Sequence, residues 1–147
     1  MFRRSLPAAM LLALLLLPGA AGAENTQQAV RDFGLLGSWS PDCSKPVSPQ
    51  APRVVYAEQA DGSVTRELVE GPAHGTGTPF LGATRVAPDQ LEVDYSYRDR
   101  TIHLVLEMRD GRHRGLTSWI DGGAPLMEDG VVLANNRRAP WLEKCKD

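Results

Sequence analysis

The chain has 147 residues, 42% of them hydrophobic and 23% charged, the balance of a globular protein and not of a disordered or fibrous one. Sixteen Lys and Arg stand against 18 Asp and Glu, a formal charge of −2, which argues against a nucleic-acid binder. The length suits one hydrophobic core and is too short for two independent enzyme domains.

Residues 1–23 begin with Arg3 and Arg4, continue through an apolar run from Ala8 to Leu17, break at Pro18-Gly19 and end in Ala21-Gly22-Ala23. This is the pattern of a secretory signal peptide cut before Glu24, leaving residues 24–147 as a single domain of net charge −4. The apolar run is about half the roughly 20 residues that a membrane-spanning helix needs, and no later segment is as apolar, so no span is expected in the mature chain. No cysteine adjoins the cleavage point and no Asn-x-Ser/Thr sequon occurs, so a periplasmic or secreted bacterial protein is the expectation. The only cysteines, Cys43 and Cys145, would meet an oxidising compartment and are expected to form a disulfide. Neither sits in a Cys-x-x-Cys motif or beside histidine, as a redox or metal-binding pair would.

Residues 26–36 suit a short amphipathic helix, capped by Thr26, with Val30, Phe33 and Leu35 or Leu36 on one side. Turn signals at Asp61-Gly62, Pro88-Asp89 and Asp129-Gly130 then separate short strand-like runs. Leu91, Val93, Tyr95 and Tyr97 alternate with polar residues, and Ile102, Leu104, Leu106 and Met108 repeat the pattern. A turn at Asp99-Arg100 would place Tyr97 opposite Ile102 and Tyr95 opposite Leu104. Asp110-Gly111 is a strong type I′ hairpin signal. Counted from it, Glu107 faces Arg114 on the outside and Trp119 faces Ile102 on the inside. With a strand around Trp39 there are about eight strands in sequential order. The prediction is an all-β, antiparallel up-and-down barrel with a short N-terminal helix and one disulfide, closed to remove its edges. Two packed sheets would show the same alternation.

The helix leading into Leu36-Gly37-Ser38-Trp39, ahead of sequential strands, resembles the Gly-x-Trp opening of the lipocalin and calycin barrels. The chain lacks the Thr-Asp-Tyr motif of that group. The resemblance implies that Trp39 closes the barrel bottom beneath a basic residue that follows the last strand, here Arg137 or Arg138. Size, leader and single disulfide also resemble the small bacterial barrel inhibitors of metalloproteases, whose N-terminal segment enters the protease cleft. Residues 24–28 would be that segment.

His74, His103 and His113 are the only histidines, and the predicted register keeps them apart, so no metal site is expected. Residues 71–78 are glycine-rich, but no Lys follows where a phosphate loop requires it. No Gly-x-Ser-x-Gly elbow occurs, and Glu92 and Asp94 fall on the solvent face, so neither an enzyme nor a cofactor is expected. The reading that remains is a non-catalytic barrel binding a small apolar or amphipathic ligand against Tyr95, Tyr97, Trp119 and Leu104. The alternative is a periplasmic protein-interaction module, a protease inhibitor or envelope assembly factor, acting through residues 24–28 or the 71–78 loop. N-terminal mass spectrometry of the exported protein should find a chain beginning at Glu24; an uncleaved Met1 would refute the leader.

Overall fold

A computed structural model describes residues 21–146, with side chains from Thr26 onward. Apart from Ala21–Ala23, the expected leader lies outside the described residues. Helix α1 (Ala21–Phe33) precedes β1 (Gly37–Ser40), β2 (Arg53–Glu58), β3 (Val64–Val69) and β4 (Thr78–Ala87). There follow β5 (Gln90–Tyr97), β6 (Arg100–Arg109), β7 (Arg112–Ile120), β8 (Pro125–Glu128), β9 (Val131–Val132), β10 (Arg137–Arg138) and β11 (Leu142–Lys144). The helix begins earlier than its sequence signal, so Thr26 is a buried residue inside it and not its cap.

β1 to β7 pair in sequence, and β11 lies between β7 and β1, so eight antiparallel strands close into a barrel. The eighth barrel strand is therefore Leu142–Lys144 and not the segment after Asp129-Gly130. That segment belongs to an excursion, β8 to β10, hydrogen-bonded to the far end of β7. Cys43 and Cys145 are bonded, with Cα atoms 5.3 Å apart. Such a bond fits an oxidising, non-cytoplasmic compartment.

One end of the barrel is packed solid. Val30 and Phe33 of α1, with Leu35, Trp39, Val64, Leu91 and Val93, are all almost completely buried. α1 lies on β4 and β5, and Arg31 ties it to Glu58 through contacts of 2.6 and 2.7 Å. The Trp39 indole N–H donates to the Leu35 carbonyl at 2.7 Å. The cation over the Trp39 ring is Lys144, at 5.6 Å, and not Arg137 or Arg138, which are exposed on β10. β11 brings Lys144 there by pairing it directly with Trp39. The indole–guanidinium stacking expected of Trp39 is found instead at Trp141, with Arg114 at 4.6 Å and Arg109 at 5.6 Å from the ring. Both arginines also hold Glu107, at 3.0 and 2.6 Å, so the Glu107–Arg114 pair forms as expected, but with Glu107 buried.

Two registers differ from those counted along the sequence. The β5–β6 turn is Arg98-Asp99, both at positive φ, so Tyr95 faces Ile102 and Val93 faces Leu104. A two-residue displacement leaves every side chain on its expected face. The β6–β7 hairpin starts as counted, with Arg109 opposite Arg112 and Glu107 opposite Arg114. A bulge then leaves Leu116 unpaired, and beyond it Trp119 faces His103, with Ile120 opposite Ile102. A one-residue slip reverses the faces. Trp119 therefore lies outside the barrel, stacked on His103 with centroids 4.9 Å apart.

The disulfide closes a separation of 102 residues, worth about 4–5 kcal/mol in the chain-entropy view. Removing it by Cys43→Ser with Cys145→Ser should lower the melting temperature by more than about 10 °C. Calorimetry of the two proteins side by side tests this, and an unchanged transition would refute the staple.

Candidate functional site: a cavity inside the barrel

The end of the barrel away from α1 is less filled and holds a half-open cavity. A cavity of about 240 Å³ is walled by Val54, Leu104, Leu106, Leu142 and Met127 and overlain by Pro41, Pro52 and Pro140. It is roofed from the excursion by Met127, whose sulfur packs so closely on Gly115 that a Cβ there would sit 3.0 Å from it. A glycine within a strand is often the mark of such close approach. Arg66 and Leu68 also line a second cavity of about 580 Å³ at the mouth, bordered by Tyr95, Tyr97, Ile102, Thr78 and Leu126. The mouth forms because β3 and β4 pair over only two residues, Thr65 with Pro79 and Arg66 with Thr78.

Three polar side chains converge on the inner cavity. Tyr56 on β2 lies directly opposite Arg66 on β3, which puts both on the inner face. His113 on β7 is 1% exposed, with its ring 5.6 Å from Tyr56 and 4.6 Å from Trp39. Neither His113 ring nitrogen has a hydrogen-bond partner, and Arg66 Nε is likewise buried without one. Arg66 has no carboxylate partner among the described residues; every ion pair there belongs to other cations. Burial, aided by the Arg66 charge, holds the His113 pKa down at about 4, so its imidazole is neutral at physiological pH. Burial likewise raises the Tyr56 pKa, with Arg66 pulling weakly the other way. Buried polar groups ordinarily find partners, and leaving one unsatisfied costs about 1–3 kcal/mol. Two such groups, His113 and Arg66, border one cavity, and the Tyr56 hydroxyl stands beside Arg66.

Of the residues expected to form a ligand wall, Leu104 lines the inner cavity and Tyr95 and Tyr97 line the mouth. Trp119 reaches neither, because of the bulge. Residues 24–28, expected as an insertable arm, lie within α1. The 71–78 loop is tethered by Glu67, which accepts from the Gly75 N–H and lies 3.9 Å from His74. Beneath it, Val47, Val55 and Val69 line an outer groove of about 630 Å³.

A second cluster lies on the outer face. Glu92, Asp94 and His103 offer ligand atoms within 4.8 Å of one another. The sequence places Glu92, Asp94 and His103 on the outer face, and strand pairing sets Asp94 directly across from His103, which brings the three together. His103 Nδ1 hydrogen-bonds Asp94 at 2.7 Å, and Asp121 faces Nε2 at 3.7 Å. Both ring nitrogens thus have a carboxylate neighbour, whereas the polar groups of the inner cavity lack one. No family model, curated protein or solved structure matches the chain significantly. No helix among the described residues is long and apolar enough to cross a membrane.

Between pH 6.5 and 4 the folded chain binds fewer protons at His113 than the unfolded chain does. Its share of stability is therefore complete above pH 6.5 and is lost as pH falls through 4, a loss of about 3 kcal/mol. His113→Phe should flatten the decline of urea midpoints across that window while costing little at pH 7. An unchanged slope would mean that His113 titrates as an exposed histidine.

Proposed function

We propose that the protein is an exported, non-catalytic barrel that binds one small apolar or amphipathic molecule in its interior, in the periplasm or outside the cell. The observation that carries the reading is the inner cavity, apolar over most of its wall with a few convergent polar groups, the usual character of a small-molecule site. Its 240 Å³ lies below the roughly 300–1,000 Å³ of drug-sized pockets, so the ligand is small or extends into the mouth. Tyr97, 56% exposed at the mouth, and Leu68, 50% exposed, give an amphipathic ligand an apolar approach. The leader supports export, and the Cys43–Cys145 bond suits the compartment that export would reach.

Native mass spectrometry of protein purified gently from an exporting host should find a small adduct absent from the denatured chain. Leu104→Phe, which narrows the cavity, should lose the adduct at little cost in stability, whereas Trp119→Ala should keep it. Equal loss in both variants, or a bare protein, would defeat the reading.

A further inference from the structure

The polar end of the cavity narrows the ligand class, an inference that rests on the binding function just proposed. Two arginines line the inner cavity, and they differ in one respect. Arg114 lies 3.0 Å from Glu107, which it shares with Arg109, whereas Arg66 has no carboxylate partner among the described residues. Glu67 borders the mouth, but its carboxylate is engaged by the Gly75 N–H and lies beside His74. Arg66 is half-buried, with its Nε sealed from water and unpartnered, and its planar fork matches a carboxylate in two parallel hydrogen bonds.

We infer that the barrel takes a monocarboxylate with an apolar tail, its carboxylate held by Arg66, its remaining hydrogen bonds made by Tyr56 and His113, and its tail against Leu104, Leu106 and Val54. The charge count selects a monoanion. His113 is neutral and Arg114 lies on Glu107, so Arg66 is the one lining cation without a carboxylate; a monocarboxylate balances it, and a dianionic phosphate ester would bring an extra negative charge. A neutral imidazole retains one N–H to donate to the bound anion, and the Tyr56 hydroxyl supplies another donor.

Calorimetric titration of the oxidised protein with octanoate, 1-octanol and octyl phosphate separates tail from headgroup. Octanoate should bind at least about tenfold more tightly than 1-octanol, as a charge-assisted pair implies, and more tightly than octyl phosphate. Arg66→Met should abolish that advantage, octanoate then binding no more tightly than 1-octanol. If octanoate and 1-octanol bind equally, the anion subsite is wrong while the binding cavity stands. Tighter octyl phosphate overturns the headgroup class, and binding of none of the three overturns the cavity reading together with this one. Should Arg66→Met fail to fold, carboxyl-labelled octanoate bound to the unaltered protein gives an independent measure by NMR. Its ionisation midpoint should fall at least about one pH unit below that of free octanoate, as for a carboxylate beside a guanidinium. An unmoved midpoint refutes the contact.

Discussion

Closure of the barrel rests on β11, a strand of three residues that pairs on both sides. Leu142 and Glu143 face His113 and Arg112 of β7, while Glu143 and Lys144 face Ser40 and Trp39 of β1. Without it β1 and β7 would each present an unpaired edge, and the interior would open between them. Three residues make too few ladder bonds to hold themselves in place. What holds them is anchorage at every side. Leu142 is buried, Trp141 carries Arg109 and Arg114 over its ring, Lys144 lies over the Trp39 ring, and Cys145 is bonded to Cys43 with its N–H donating to the Ser38 carbonyl. His113 is buried because β11 covers it, so the chemistry of the cavity depends on that closure.

The interior is divided between a packed end and an open one. Toward α1 the side chains fill the space with large apolar groups, and the only buried polar atom at Trp39 finds the Leu35 carbonyl. Toward the mouth the space is open, and a tyrosine, an arginine and a histidine stand where leucines would make a tighter barrel. Apolar replacement of buried polar groups is often neutral or stabilising. Their presence here is therefore not accounted for by the packing of the fold alone.

Much of the barrel was legible in the alternation of β5 to β7 and in Asp110-Gly111, because a half-buried strand and a type I′ turn each leave a local mark. The disulfide was legible from the scarcity of cysteine. Lys144 was not, since nothing in the local pattern separates the excursion of β8 to β10 from the barrel, and Arg137 and Arg138 directly follow a strand-like run. Arg66 was also missed. Alternation along Val64, Arg66 and Leu68 puts it inward, yet a charge in a strand reads as solvent-facing unless its neighbours are trusted over its own chemistry. The Arg98-Asp99 turn carries no glycine, so nothing local marks it.

The bulge at Leu116 links these features. Gly115 was its sequence signal, since glycine inside a strand often marks a bulge. The released Leu116 carbonyl accepts the Gly130 N–H at 2.7 Å, which fastens the excursion to β7 where β11 has ended. From there Met127 reaches the inner cavity, Leu126 borders the mouth, and Ser118, not Trp119, turns inward opposite Leu104. A regular strand would have aimed an indole into the barrel opposite Ile102, which borders the mouth. The extra residue therefore empties the upper barrel and roofs it in one step, which is the re-aiming of side chains that bulges near binding sites perform.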